Sequence, residues 1–508
     1  MTFFTEPGII FFCYFVVMIA IGAFFFRRMA SLPDYFIGGR RLNAWVAALS
    51  VYACDMSGWL MLGLAGAVYS FGLGQIWIAI GLALGIFFNW LFVAKRLRRY
   101  SLSTQYSITI PEYFENRLRD TSHALRFISA LMIAIFFIVY TAAGFVACGL
   151  LFSYVFDIDY QIALLMGSVV VFLYTFMGGF RAICWTDFIQ GLLVLAVVVS
   201  VPLMALYITE GLDVSVRQSS AFFDVFTDKT GQPVSAVSIV SGLAWGLGYF
   251  GMPHILIRFM AVKREVEISW AAVIALFAAA LSLGGAVLTG VAGSLLVPET
   301  AVPETVFIRV IEKISLGGPG SMPVLGSLFL CGILAAVMST TDSQLLVAAS
   351  AITSDLYHGI VHREAPEKHF LWMSRFSVVI ICIIAYVIAA SRSSTIMGLV
   401  SNAWSGFGSA FGALVLLSLY WKRLNRSGAI AGIVSGGLTV IIWDYFLCVP
   451  GGDNIWITLH KATGLYSLVP GFCVSLFCIL AVSLLTKPPV SEVYAGFERA
   501  SVKPMFEE

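Results

Sequence analysis

Thirteen long apolar stretches follow one another along the chain, and they restrict its fold more than any other feature. They lie near residues 9–26, 43–70, 74–94, 124–155, 160–178, 185–209, 234–258, 268–297, 322–354, 370–390, 396–420, 427–447 and 465–486. A helix needs roughly 20 apolar residues to cross a hydrocarbon core of about 30 Å. Only 11% of the 508 residues are charged, less than half the roughly 25% of an average soluble domain. The sequence therefore predicts an all-α polytopic membrane protein with about 13 transmembrane helices in a lipid bilayer.

The positive charges indicate how these helices are oriented. The opening segment, MTFFTEPG, carries no basic residue, whereas Arg27-Arg28 directly follows the first apolar run, the reverse of a secretory signal. With the N-terminus placed outside, six of the 30 basic residues fall in outer loops and the remaining 24 lie at the inner side. Positive charge is enriched in cytoplasmic loops. We therefore expect an external N-terminus and, with an odd number of spans, a cytoplasmic C-terminus.

Composition also argues against several functions. A net charge of +2 gives no field that would favour nucleic acid. The nine cysteines form no CxxC spacing, so we interpret them as small apolar side chains rather than disulfides or metal ligands. No loop is long enough to form an independent domain, and no nucleophile–base pair is evident. We expect neither an enzyme nor an obligatory protein partner.

Three acidic residues, Asp55, Asp187 and Asp342, lie within the apolar runs. An ionisable group at this depth costs at least about 2.5–3.5 kcal/mol, so each needs a partner or a task. None has a basic residue within a helical turn along its own segment. Bound cations would supply the missing charge. The alternatives are burial as neutral acids and pairing with an arginine of another helix.

Oxygen-bearing side chains surround two of these acids. Asp55 lies in a small and polar stretch, and Asp342 lies in the run of residues 339–343, STTDS. On a helix, Ser339, Asp342 and Ser343 share one face. Hydroxyl and carboxylate oxygens are the ligands that hard cations prefer. The pattern therefore indicates a site for such a cation.

Two spans contain residues that interrupt a helix. The span 234–258 has four glycines and Pro253 within residues 241–253, and glycine costs about 1 kcal/mol and an interior proline about 3 kcal/mol against alanine. The second span is interrupted around Ser57-Gly58, five helices earlier. Because five is odd, two five-helix units would have inverted topologies, and such paired breaks point to a transporter binding site. The alternative is that both are small-residue packing faces.

Trp245 and Tyr249 stand at i, i+4 in the later interrupted span, so a helix would present both aromatic faces on one side. Aromatic faces attract ammonium groups through cation–π contacts. Such a pair also serves as ordinary packing, and both roles stay open from the sequence.

Ordered motifs along nearly the whole chain identify a family. The sequence closely resembles the sodium/solute symporter family in these segments: Asp34-Tyr35, Gly38-Gly39-Arg40, Asp55-Met56-Ser57-Gly58-Trp59, Trp77-Ile78-Ala79-Ile80-Gly81-Leu82, Trp185-Thr186-Asp187, Trp245-Gly246-Leu247-Gly248-Tyr249-Phe250-Gly251, Pro253-His254-Ile255-Leu256, Ala335-Ala336-Val337-Met338-Ser339-Thr340 and Gly398-Leu399-Val400-Ser401.

The resemblance implies a LeuT-type core of two inverted five-helix repeats. It also implies sodium-driven uptake of L-proline by alternating access across the inner membrane of a bacterium. The implied units are residues 1–42 (first helix and inner loop), 43–209 (first repeat, helices 2–6), 210–420 (outer loop and second repeat, helices 7–11), 421–486 (helices 12 and 13) and 487–508 (cytoplasmic tail).

The resemblance further implies roles for single residues at matching motif positions. Sodium would be bound by the carbonyls of Ala53, Met56 and Ala336 and the hydroxyls of Ser339 and Thr340. Asp55 would support sodium coupling, and Asp187 would join a sodium exit path or a second cation site with Asp342 and Ser343. The solute would contact Ser57, Gly58, Trp59, Tyr140, Trp245, Tyr249 and Pro253, and Arg40 would act in coupling or release.

Three positions depart from the pattern of proline carriers. Cys54 stands where serine is usual, Met252 replaces a glutamine, and residues 341–343 are more acidic. These departures leave open another small zwitterion or a monocarboxylate as the solute, and a proton or a second sodium as a coupling ion. A cation channel agrees less well with the aromatic pair at the interrupted span.

Overall fold

Helices make up most of the chain, as a membrane environment requires, because a helix bonds its backbone polar groups within its own segment. The computed structural model describes residues 6–26, 32–177, 179–209, 218–297, 299–316, 322–361, 367–391, 394–450 and 456–501. The stretch 210–217 of the predicted outer loop and the end of the predicted tail, 502–508, lie outside these residues.

The α-helices of the first half precede the loop that ends near residue 235. They are α1 (Glu6–Phe26), α2 (Leu32–Ile37), α3 (Ala44–Asp55), α4 (Ala65–Phe71), α5 (Ile76–Phe88), α6 (Lys95–Ser103), α7 (Ile110–Leu118), α8 (Ala124–Phe156), α9 (Tyr160–Met177) and α10 (Phe180–Thr209). Wide π-type turns are formed by Trp59–Leu64 and Asn89–Ala94, and 3₁₀ turns by Gly38–Arg40, Leu73–Gln75 and Ser220–Phe223.

The second half has the same helical character and one small hairpin. Its α-helices are α11 (Ala236–Ala244), α12 (Pro253–Ala261), α13 (Glu265–Leu296), α14 (Val306–Ile311), α15 (Pro323–Ser350), α16 (Glu367–Ala390), α17 (Ile396–Phe407), α18 (Ala413–Tyr420), α19 (Arg426–Ile441), α20 (Leu459–Thr463), α21 (Leu468–Leu485) and α22 (Ser491–Ser501). The 3₁₀ turns are Trp245–Gly251 and Pro303–Thr305, and the π-type turns are Glu312–Leu316, Ala351–Val361, Gly408–Gly412 and Ile442–Phe446. Strands β1 (Cys448–Pro450) and β2 (Trp456–Thr458) pair antiparallel.

The predicted apolar runs form membrane-length helices. Within the described residues, ten helices are long and apolar enough to cross a membrane, and the number rises to twelve if each of two bent pairs is one span. Residues Tyr160–Leu173 of α9 form a shorter apolar helix. The all-α membrane architecture is confirmed, and the count of 13 spans stays a prediction.

Both predicted interruptions are present as sharp bends. The helix α3 meets the segment Trp59–Phe71 at 52°, and the segment Ala236–Gly251 meets α12 at 46°. These two broken spans lie against each other, since α12 packs on α3. Helix α3 also packs on α10, α13 and α15, and α8 runs along both α15 and α17. The breaks are therefore surrounded by other helices rather than by lipid.

Close packing at the first break depends on Gly58. A Cβ atom at this position would lie 2.9 Å from the Cβ of Ala147 in α8 and 3.1 Å from the Cγ2 of Val337 in α15. The backbone of Gly58 has an ordinary right-handed helical conformation, with φ −54°. Glycine is therefore needed here because three helices leave no room for a side chain, and not because the backbone conformation demands it.

We expect Gly58→Ala to lower the unfolding temperature of the purified protein, because the added methyl group must push α8 or α15 away. Overpacking of this kind costs about 1–3 kcal/mol. Gly284→Ala in α13 is the matched control, since a Cβ there meets no atom within 4 Å. Equal unfolding temperatures for the two variants in detergent would contradict this account of the break.

Candidate functional site

The break after α3 leaves a backbone carbonyl for other groups to bind. The N–H of Ser57 donates to the carbonyl of Asp55 (2.9 Å), so the carbonyl of Ala53 loses its ordinary partner four residues on. The hydroxyls of Ser339 and Thr340 in α15 approach it instead, at 2.8 Å and 3.3 Å. Hydrogen bonds thus connect the break after α3 to the polar run 339–343 of α15.

Four of the five predicted sodium ligands meet at this point. The same two hydroxyls lie 3.2 Å and 3.3 Å from the carbonyl oxygen of Ala336. Two carbonyl and two hydroxyl oxygens therefore converge, and such neutral hard donors fit a hard cation. Met56, the fifth predicted ligand, lies at the break itself, where its N–H donates to Tyr52 (2.9 Å).

Asp55 lies beside this oxygen cluster, in the last turn of α3. Its carboxylate Oδ2 accepts a hydrogen bond of 2.5 Å from the hydroxyl of Tyr249. Both side chains are 2% exposed, and the other oxygen of Asp55 has no hydrogen-bond partner among the residues that the structure describes. The predicted solute contact Tyr249 thus binds the predicted coupling residue Asp55 in this conformation and links the two broken spans.

A small closed cavity lies on the other side of the first break. It has a volume of about 10 Å³, roughly the room that one water needs. Its lining contains four of the seven predicted solute contacts, and the full set is Ser57, Gly58, Trp59, Tyr140, Ala143, Gly144, Ala147, Thr340, Thr341, Gln344, Ile396 and Val400. Thr340 belongs to both the oxygen cluster and this wall, so the two sites adjoin.

Gln344 is a polar cavity residue that the sequence reasoning missed. It is 1% exposed, and neither its amide nitrogen nor its amide oxygen has a hydrogen-bond partner within the described part of the chain. A buried amide without partners costs about 1–3 kcal/mol, which a polar ligand in the cavity would recover. Gln344 directly follows the polar run 339–343, and this adjacency was the available signal.

Trp245 lies outside the small cavity, in a larger vestibule of about 430 Å³. Its ring stacks on Tyr466 at a centroid distance of 5.1 Å and on Trp404 at 6.3 Å. The hydroxyl of Tyr466 donates to the carbonyl of Ser401 (2.7 Å). Because Thr395, Met397 and Ser401 line the vestibule while Ile396 and Val400 line the cavity, the start of α17 separates the two spaces.

The predicted helical relation between Trp245 and Tyr249 is wrong in its geometry. Residues Trp245–Gly251 form a 3₁₀ turn, in which positions four apart do not lie one above the other. Trp404 nevertheless contacts both rings, Trp245 as above and Tyr249 edge-on at 5.0 Å. The indole N–H of Trp404 also donates to the carbonyl of Trp245 (2.8 Å), so this residue supports the turn as well as the aromatic cluster. Pro253, the last predicted solute contact, is buried as the first residue of α12.

Asp187 has a counter-charge from another helix. Its Oδ2 lies 2.8 Å from Nη2 of Arg258 in α12, and both side chains are at most 1% exposed. The hydroxyl of Ser50 donates to the same oxygen (2.7 Å). For Asp187 the structure therefore supports the alternative of an arginine partner.

Arg258 binds further groups of this region. Its Nη2 also donates to the hydroxyl of Ser343 (2.6 Å), and its Nε donates to Ser50 (2.7 Å). The hydroxyl of Ser343 lies 3.2 Å from Oδ1 of the fully buried Asp342. The sequence left open an arginine from another helix as a partner but did not identify Arg258, because no local spacing connects it to Asp187.

Arg40 connects the 3₁₀ turn after α2 to other parts of the chain. Its Nη1 donates to the carbonyl of Met260 (2.7 Å) and the hydroxyl of Ser101 (2.9 Å), and its Nη2 donates to the carbonyl of Ser107 (2.6 Å). The next residues extend this contact, since the N–H of Leu42 donates to Ala261 (3.2 Å). Arg40 therefore connects the end of α12, the second half of a broken span, to α6.

Comparison with known proteins finds a matching family and similar proteins over most of the chain. The family model described as the sodium:solute symporter family matches residues 35–436. The high-affinity proline transporter PutP of Bacillus subtilis (strain 168) is 42% identical over 485 residues, covering 94% of this chain and 98% of that protein. The sodium/proline symporter of Staphylococcus aureus (strain USA300) is 40% identical over 501 residues, covering 94% and 92%.

A solved structure has a closely similar architecture. It shows a Na⁺-coupled sialic acid symporter in a substrate-bound, outward-open state, with a TM-score of 0.76 and 19% identity over 95% of this chain and 98% of that one. At this identity the likeness concerns the fold, and the predicted LeuT-type fold is confirmed.

Proposed function

The chain belongs to the sodium:solute symporter family, and we propose that it takes up L-proline together with sodium by alternating access. Relatives at about 40% identity over nearly the full length carry proline and sodium/proline transport in their names. The observation that supports this proposal most directly is the contact of Ser339 and Thr340 with the carbonyl of Ala53, beside a small closed cavity.

Sodium would bind where the broken α3 meets α15. The carbonyls of Ala53, Met56 and Ala336 and the hydroxyls of Ser339 and Thr340 would hold it. The two hydroxyls donate to carbonyl oxygens in this structure, and bound sodium would turn all these oxygens towards itself. Asp55 would raise the affinity through its charge, which Tyr249 holds in place. Binding here would fix the backbone around Ser57 and Gly58.

Proline would bind in the cavity next to the ion, after the cavity enlarges. The segment that begins at Gly58 is the N-terminal end of a helix, which favours a carboxylate. Trp59 and Tyr140 would enclose the ring, and Gln344 would bind a polar end of the zwitterion. Neither Cys54 nor Met252 lines this cavity. The departures at these positions therefore do not argue for a different solute.

In alternating access, the contacts that close the outer end and the inner end of the site would open in turn. At the outer end, the ring of Tyr466 would move away from Trp245 to admit the solute. At the inner end, Arg40 and the Leu42–Ala261 contact would release α12. The moving units would be the repeats 43–209 and 210–420, and the chain would lie in the inner membrane of a bacterium with its N-terminus outside and its C-terminus in the cytoplasm. Residues 421–486, which lie between the second repeat and the tail, would support the two repeats from the side.

Uptake of radiolabelled L-proline into proteoliposomes tests this proposal. An inward sodium gradient and an equal proton gradient are compared, each without the other. Concentrative uptake with sodium alone supports it. Uptake driven only by protons would favour the proton-coupled alternative, whereas sodium current without solute would favour a channel. No proline uptake by folded protein under either gradient would call for another zwitterion or monocarboxylate.

We expect Thr340→Val to raise the sodium concentration for half-maximal proline binding about tenfold, since loss of one oxygen ligand costs roughly 1–2 kcal/mol. Thr289→Val is the control, because the hydroxyl of Thr289 is equally buried but donates only to Gly285 of its own helix (2.8 Å). Equal sodium dependence in both variants would remove Thr340 from the ion site.

We expect Gln344→Leu to weaken proline binding about five- to tenfold at saturating sodium, because the solute loses a hydrogen-bond partner. The unfolding temperature without solute should not fall, since the amide has no hydrogen-bond partner to lose among the described residues. Gln344→Glu tests which end of proline lies nearby, as a carboxylate repels the solute carboxylate and attracts its amine. Unchanged proline affinity in the leucine variant would exclude contact between Gln344 and the solute.

A further inference from the structure

The buried cluster around Arg258 lies where the sequence predicts a second cation. Its guanidinium binds Asp187 and Ser343, two of the residues assigned to that site, through the single nitrogen Nη2 at 2.8 Å and 2.6 Å. Its Nε donates to the hydroxyl of Ser50 (2.7 Å) and its Nη1 donates to the carbonyl of His254 (2.5 Å), so four of its five N–H donors are used. A fixed positive charge already occupies the space between these oxygens.

We infer that Arg258 is a tethered cation that fills the second cation site, so that one sodium ion accompanies each solute. This inference rests on the proposed function for the solute, but the number of bound ions is independent of it. The reason is electrostatic. A mobile cation at Asp187 would lie within a few ångströms of the guanidinium, where water screens poorly and like charges repel strongly.

The position of Arg258 in the fold supports this role. It belongs to α12, the inner half of a broken span, whereas its partners belong to α3 (Ser50), α10 (Asp187) and α15 (Ser343). The charge therefore balances Asp187 when these helices are packed together, as a bound ion would. Unlike an ion, it cannot leave for the cytoplasm, so it adds nothing to the sodium carried per cycle.

A sodium count on the purified protein tests the inference. Binding of radioactive sodium is measured to saturation in detergent without proline, and the flux ratio of sodium to proline is measured in proteoliposomes. The wild type should bind one sodium per chain, with a Hill coefficient of about one. A second saturable sodium in the wild type would overturn the inference.

Removal of the tethered charge should create an ion site. In Arg258→Gln the carboxylate of Asp187 loses its partner, and we expect two bound sodium ions and a Hill coefficient approaching two. Arg258→Lys keeps the charge and should bind one. A folded glutamine variant that still binds a single sodium would contradict the inference.

A double variant covers the case in which Arg258→Gln does not fold. Asp187→Asn with Arg258→Gln removes both charges, which is usually tolerated far better than removal of one. It should bind one sodium, as the wild type does, because Asp187 does not hold the transported ion. Loss of all sodium binding in this folded variant would refute the inference. Failure of the wild type to take up proline, with a sodium count of one, would refute the proposed function alone.

Discussion

The requirement that every backbone polar group in a membrane protein find a partner shapes this molecule around its two helix breaks. Each break frees carbonyl groups that lipid cannot satisfy, and side chains from distant parts of the chain bind them. Ser339 and Thr340 reach the carbonyl of Ala53, and the indole of Trp404 reaches the carbonyl of Trp245. The hydroxyl groups at the first break are weak and replaceable partners, which would suit an ion that binds and dissociates in each transport cycle. The rigid indole at the second break is suited to a permanent support.

The buried carboxylates also differ in whether their partner is one that an ion could replace. Asp55 has one neutral donor, Tyr249, and one oxygen without a hydrogen bond among the described residues, which would leave its charge available to a nearby ion. Asp187 instead has a full counter-charge in Arg258. Two carboxylates that look alike in the sequence thus have different surroundings, and the difference comes from the helices that face them.

Local signals predicted the parts of the structure that depend on local chemistry. Glycine and proline indicated both breaks, hydropathy indicated the helices, and the run 339–343 indicated the oxygen cluster. Contacts between distant segments could not be predicted in this way. Arg258 and Asp187 are separated by 71 positions and Tyr249 and Asp55 by 194, and no periodicity connects them. The spacing of Trp245 and Tyr249 was misinterpreted because their glycine-rich segment forms a 3₁₀ turn rather than an α-helix. The roles of single residues came from family resemblance. The structure brings four of the five predicted sodium ligands together and places four of the seven predicted solute contacts around one adjoining cavity.

The backbone at Arg40 has a consequence for how readily the inner end would open in the proposed cycle. Gly38, Gly39 and Arg40 all have positive φ, of 62°, 62° and 55°, and this left-handed conformation costs a residue with a side chain about 1–2 kcal/mol. Of the three, only Arg40 has a side chain, and the three hydrogen bonds of its guanidinium hold it in this conformation. If those bonds broke during transport, relaxation of the Arg40 backbone would offset part of the free energy lost.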